Sequence, residues 1–207
     1  MVRPDLGALT DEALFRGFIH GDYQAFEVLV QRYRRGIYGF LLRSTRDKEA
    51  AEDLYQEVFL RVVKKANDFE GKSKFSTWIY KIARNLSIDH ARRMTHRRHA
   101  SLDASRSADP ESSTLLDTVH NPLTETDRAA QNREIRRKVT SVVELMPEDQ
   151  REIFLMRQLQ GLSFQQIAEI TQVPVNTAKS RMRYALERLR EALGSYEDYA
   201  KQIGVRE

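Results

Sequence analysis

The stretch from Gly161 to Tyr184 constrains this chain more than any other. Its order, Gly-Leu-Ser-Phe-Gln-Gln-Ile-Ala-Glu-Ile-Thr-Gln-Val-Pro-Val-Asn-Thr-Ala-Lys-Ser-Arg-Met-Arg-Tyr, reads as a helix, a tight turn and a second, basic helix. Ser163 can cap the first helix, with Gln166 three residues on to complete a capping box. Phe164, Ile167, Ala168 and Ile170 give that helix an apolar side. Pro174 stands where the second helix begins, a place that tolerates a missing N–H. Ala178, Met182, Ala185 and Leu189 then follow at steps of four, three and four, which makes one stripe to bury. Asn176, Lys179, Ser180 and Arg183 lie opposite, within the first two turns. A helix-turn-helix sets such a second helix in the major groove and reads bases from its N-terminal turns. Lys and Arg donate to guanine O6 and N7, and Asn and Ser add smaller hydrogen-bonding groups. The plainer alternative is a helical hairpin with a solvated basic face.

Charge distribution supports a polyanion as partner. The 207 residues carry a net charge of only +4, but it is unevenly spread. Between Lys74 and Arg98 seven basic residues (Lys74, Lys81, Arg84, Arg92, Arg93, Arg97 and Arg98) face one acid, Asp89. Between Lys179 and Arg190 five (Lys179, Arg181, Arg183, Arg188 and Arg190) face Glu187 alone. Two basic segments imply two contacts with nucleic acid. With no cysteine in the chain, disulfides and thiolate metal sites are excluded, in keeping with a reducing compartment. There is no run of eighteen apolar residues and no apolar signal core near the N-terminus, so a cytoplasmic protein without membrane insertion is expected.

Helical periodicity dominates and nothing alternates long enough for a sheet. Thr10, followed by Asp11 and Glu12, starts a helix that Gly21-Asp22 breaks. A second helix spans about 23–43, with Phe26, Leu29, Val30, Tyr33, Ile37, Phe40 and Leu41 on one face. A third spans about 48–66, burying Ala51, Leu54, Tyr55, Val58, Phe59 and Val62. A fourth runs from Ser76 to about Arg93. From Thr95 to Thr126 the composition turns to Ser, Asp, Thr and Pro without periodicity, which predicts a flexible linker. Helical pattern returns near Asp127, and Pro147-Glu-Asp opens a helix bearing Ile153, Phe154 and Leu159, ended by Gly161. The expected fold is all-α: a helical domain over 1–94, a linker over 95–129, a helix-turn-helix domain over 130–194 and a polar tail over 195–207.

Two N-terminal surfaces carry chemistry. Around Phe69 to Asn85, basic residues alternate with Phe69, Phe75, Trp78 and Tyr80, as on surfaces that track single-strand phosphates and stack exposed bases. Trp78, Lys81, Asn85, Asp89 and Arg92 share a face apart from the buried Ile79, Ile82, Ala83 and Leu86. Core burial of Phe75 and Trp78 is the competing reading. On the third helix, Asp53, Gln56, Glu57 and Leu60 lie off the apolar stripe, where polar groups are ordinarily just solvated.

Four segments in order, Ala51-Glu-Asp-Leu-Tyr-Gln-Glu-Val-Phe59, Phe75-Ser-Thr-Trp-Ile-Tyr-Lys-Ile-Ala-Arg-Asn85, Leu145-Met-Pro-Glu-Asp-Gln-Arg151 and Pro174-Val-Asn-Thr-Ala-Lys-Ser-Arg181, resemble the extracytoplasmic-function (ECF) sigma factors of the sigma-70 family. The resemblance implies a sigma-two-like domain, a sigma-four-like domain and a role in promoter-specific transcription initiation. It implies core RNA polymerase (β′ clamp helices and β subunit), promoter DNA and an anti-sigma factor as partners. Asp53, Gln56, Glu57 and Leu60 match the core-binding motif. Phe69, Lys72, Lys74, Phe75, Trp78, Lys81, Arg84 and Asn85 fall in the part that captures and reads the −10 element. Asn176, Thr177, Lys179, Ser180, Arg181, Arg183 and Arg188 fall on the helix that reads the −35 element. Gly is frequent in the family where this chain has Asn176. No catalytic residue, cofactor or metal is implied.

Two other readings fit parts of the chain. A plain helix-turn-helix regulator would bind a palindrome as a dimer, but no dimer helix or ligand pocket is evident. A nuclease reading rests on His90, His96 and His99, which lie in an Arg-rich stretch with only Asp103 nearby as a carboxylate.

Overall fold

A computed structural model describes residues 5–69, 71–100 and 126–194. Eight α-helices and two short 3-10 turns account for these, and among the described residues there is no strand. The N-terminal unit comprises α1 (Asp11–Ile19), α2 (Tyr23–Thr45), α3 (Lys48–Lys64) and α4 (Phe75–Ala100); the C-terminal unit comprises α5 (Thr126–Leu145), α6 (Glu148–Gln158), α7 (Phe164–Thr171) and α8 (Val175–Leu193).

Most helix starts are written locally. Thr10, Asp22 and Asp47 each accept a hydrogen bond from an orphan amide of the helix that follows. Between α1 and α2 the chain turns through Gly21 at a φ of +95, a conformation that a Cβ would oppose. Helix α4 is different, because its cap comes from a distant residue. The Phe75 amide donates to Glu12 Oε1 of α1 at 3.1 Å, across 63 positions.

The expected boundaries hold closely except at α4, which continues past Arg93 to Ala100. The added turns contain no Gly or Pro to stop them, and Arg and His are favourable near the negative end of a helix dipole. Residues 101–125, within the expected linker, and the tail from 195 lie outside the described residues. Leu159, expected on α6, instead caps it, because the helix ends at Gln158, and is 41% exposed.

Leu14, Phe15, Leu29, Ile37, Leu41, Val58, Val62, Phe75 and Ile79 are completely buried in the first unit, and Ile153, Met156, Ile167, Ala178 and Ala185 in the second. Each large apolar side chain so buried is worth about 1.5–3 kcal/mol. The two units are also packed together: α7 lies on α4, α6 lies on α2, and the apolar cluster runs continuously from one unit into the other.

Candidate nucleic-acid interface

Helix α8 is anchored by a stripe that is buried throughout: Ala178, Met182, Ala185, Leu189 and Leu193. Its approach is fixed by α7, where Ser163 Oγ accepts from the Gln166 amide at 3.2 Å and Gln166 Oε1 accepts from the Ser163 amide at 3.0 Å. The turn closes with Gln172 at a φ of +58. Asn176, Lys179, Ser180, Arg183 and Arg188 all stand exposed on the far side, with Thr177 half-buried. Ser180 Oγ donates back to the Asn176 carbonyl at 2.9 Å, which fixes its rotamer.

Two α8 residues differ from the sequence expectation in their surroundings. Arg181 is half-buried and its Nε donates to Asp149 Oδ2 of α6 at 2.9 Å. Tyr184, not singled out from the sequence, is 45% exposed, and the Arg183 guanidinium lies over its ring at 5.1 Å. A cation held over an aromatic face is steadied in place. The signal for Tyr184 was available: a lone aromatic, off the apolar stripe, in a basic helix.

On the N-terminal unit the aromatic residues form one cluster. Phe15 of α1 is its floor, with ring centroids 5.2 Å from Phe69, 4.8 Å from Phe75 and 5.4 Å from Trp78. Phe69 and Trp78 lie 5.1 Å apart and are half-buried, so each keeps an accessible edge. Phe75 has no exposed surface, so its ring packs the core here and offers nothing to a ligand. Lys72, Lys74 and Asn85 are exposed, and Lys81 is half-buried. Gly71, with a φ of +68, lets the chain turn between Phe69 and α4. Arg84 is not a free cation: its Nε meets Glu152 Oε1 of α6 at 2.5 Å, with both side chains largely covered. Burial pushes the Glu152 carboxyl above its usual range, outweighing the opposite pull of Arg84.

The third surface lies on α3. Asp53 and Gln56 are exposed, and Leu60 is 52% exposed. Val63, not noted in the sequence pattern, adds a second exposed apolar side chain at 45%. Glu57 is tied to Arg61 at 2.8 Å, and that hydrogen bond holds its carboxyl below the usual range. Acidic groups repel phosphate, while exposed Leu and Val beside polar groups suit a protein partner.

Comparison with known proteins gives the family. The sigma-70 region 2 family matches residues 29–98, and the sigma-70 region 4 family matches residues 136–189. The RNA polymerase sigma-H factor of Pseudomonas aeruginosa is 32% identical over 183 residues, spanning 88% of this chain and 93% of that protein. The ECF RNA polymerase sigma-E factor of Escherichia coli K12 is 33% identical over 180 residues, spanning 86% and 92%. The chain belongs to the ECF sigma factors.

As a sigma factor it confers promoter-specific initiation on RNA polymerase. Its fold agrees with solved structures. CnrH in complex with the cytosolic domain of CnrY aligns with a TM-score of 0.62 at 18% identity, covering 90% of this chain and 98% of that one. The sigma factor RpoE in complex with the anti-sigma factor NepR from Bartonella quintana gives 0.59 at 22% identity, covering 82% and 96%. The region 2 match spans α2 to α4, and the region 4 match runs from within α5 into α8. Among the described residues of the sigma factor, no cluster of three or more His, Asp or Glu could hold a metal, and no helix is long and apolar enough to cross a membrane. The side chains of His96 and His99 lie outside the described residues.

Proposed function

We propose that the three faces divide the work of initiation. The α3 face, Asp53, Gln56, Glu57 and Leu60 with Val63 added, docks on the β′ clamp helices of core polymerase. The edges of Phe69 and Trp78, with Lys72, Lys74, Lys81, Arg84 and Asn85, take the −10 strand as it leaves the duplex. Phe75 supports them from beneath. Flipping a base out of its stack costs a few kcal/mol, which stacking rings and a fitted pocket offset. Asn176, Lys179, Ser180 and Arg183, with Thr177 beside them, read the −35 element, while Arg181 and Arg188 meet phosphates.

The observation that carries this reading is α8 itself. One side is wholly buried, and the other presents four hydrogen-bonding residues in its first turns. A helix held that firmly can enter the major groove without reorganising. The protein acts in the cytoplasm, makes no bonds itself, and is held inactive by an anti-sigma partner. That last point is supported by likeness of fold to sigma factors solved in such complexes.

The test is run-off transcription with core polymerase on promoter fragments, together with competition for core by the Asp53→Ala, Gln56→Ala double variant. Promoter-specific transcripts from wild type, with at least about 1 kcal/mol weaker core binding by a double variant of unchanged helicity, bear it out. A double variant that competes as well as wild type removes the α3 assignment.

A further inference from the structure

Arg181 and Arg183 stand two residues apart on α8 and are held by opposite means. The Arg181 Nε donates to Asp149 Oδ2 of α6 at 2.9 Å, so its charge is matched and part of its donor edge is used within the protein. The Arg183 guanidinium instead lies 5.1 Å over the Tyr184 ring, with Nη2 3.5 Å from the Tyr184 hydroxyl oxygen. A carboxylate takes an arginine by the edge of its planar fork, where the N–H groups are. A ring takes it by the flat face and leaves those N–H groups to donate elsewhere. The molecule contains its own example of the second arrangement. Arg157 of α6 lies over the Phe164 ring at 5.1 Å and at the same time donates from Nη1 to the Leu162 carbonyl at 2.9 Å. Among the described residues no carbonyl takes that place at Arg183, and its side chain is exposed. Tyr184 is 45% exposed and takes no part in the apolar cluster that anchors α8. It lies one turn after Ser180 and one turn before Arg188, between a residue assigned to bases and one assigned to phosphates. Glu187, four residues beyond Arg183, is the carboxylate of α8 at ion-pair spacing from it.

We propose that Tyr184 is a positioning residue for Arg183, and that the pair acts as one unit that reads a guanine in the −35 element. The inference rests on the assignment of Arg183 to a base edge. Guanine is the base whose O6 and N7 accept two donors of an arginine fork side by side in the major groove. That contact demands one orientation from a side chain with many rotamers, and the ring selects it before DNA arrives. With the ring removed, the guanidinium is free to turn toward Glu187 and spend its donors there. Tyr184 thereby sharpens discrimination at one base position by acting through Arg183.

The test uses the full chain assembled with core polymerase, on a promoter fragment that it transcribes, with each −35 position varied singly. Run-off yield from each fragment gives the base preference position by position. Arg183→Ala is expected to relax one position, and the preferred pair there is G·C. Tyr184→Ala relaxes the same position by about two- to five-fold, the range that an exposed cation–ring contact supports, and leaves the others alone. In the Arg183→Ala background it adds nothing. Tyr184→Phe keeps the preference, while Tyr184→Leu, apolar but without a π face, behaves like Tyr184→Ala. All three Tyr184 variants unfold at the wild-type temperature, since the side chain lies outside the core. Unchanged preference in Tyr184→Ala, or an equal loss with and without Arg183, overturns the coupling. Full preference in Tyr184→Leu overturns the role of the ring face. A relaxed position that prefers an A·T pair overturns the guanine assignment. If Arg183→Ala itself relaxes no single position, the base-reading assignment fails and the role of Tyr184 falls with it.

Discussion

Helices α8 and α4 carry the two halves of the proposed DNA interface, and they present them in opposite conditions. On α8 the residues that bury and the residues proposed to read are different residues, separated by half a turn of helix. At α4 and the turn before it they overlap: Trp78 of α4 and Phe69 of that turn serve the aromatic core and keep only edges for a ligand, while Arg84 is occupied by Glu152. A duplex has a fixed shape, so a rigid, preformed face suits it. A strand being pulled from its partner offers no fixed shape, and the surface that receives it is assembled from the core outward.

The largest expected effect comes from breaking that overlap. Phe15→Ala removes the floor beneath Phe69, Phe75 and Trp78 and should cost about 3–5 kcal/mol of stability. Below its lowered unfolding temperature, promoter opening by permanganate footprinting should fail while binding to a −35 duplex persists. Equal loss of both would mean that the two helices do not act separately. Next in size, Arg183→Ala should cost about 1–3 kcal/mol on the cognate −35 element and relax preference at one base position. Arg188→Ala should instead weaken every sequence alike and lower the salt slope by roughly one ion. Titrations at several salt concentrations against single-base variants separate the two, and uniform loss from Arg183→Ala would reduce it to a phosphate anchor. Ser163→Ala, which opens the capping box beneath α8, should cost about 1 kcal/mol in thermal unfolding without changing base preference.

The smallest effect is one of pH. Glu152 is held above the ordinary carboxylate range by burial, next to Arg84, Glu148 and Arg181. A raised carboxyl binds its proton more tightly when the units are packed than when they part. Packing is therefore favoured at pH below the raised value and loses that contribution as pH rises through it. Glu152→Gln should accordingly unfold at a higher temperature than wild type at neutral pH, with the difference closing at mildly acidic pH. A flat profile would show that Arg84 compensates the burial of Glu152 in full.

What could be read from the sequence follows from the range of each signal. The capping box at Ser163, the stripe from Ala178 to Leu189 and the break at Gly21-Asp22 act within a few residues, so they are legible. Helix α4 beyond Arg93 was not, since its last turns have no apolar face to reveal a period. Phe75 and Trp78 could be weighed between core and site but not assigned, because the ring that decides it, Phe15, lies on another helix. The pairing of Arg84 with Glu152 left no trace at all. A single polar contact across 68 positions has no periodicity, and both residues look like ordinary surface charges.

The cap that Glu12 places on α4 has a practical consequence for anyone dividing this chain. Family likeness begins at residue 29, after α1 has ended. A fragment cut at that likeness would keep every segment of the proposed −10 face yet discard Phe15 beneath its rings and the carboxylate that closes the first turn of α4. Such a piece would retain the proposed docking face on α3 while the start of α4 frayed. Partial activity from a trimmed N-terminal domain would then reflect a missing prop, not a missing contact with DNA.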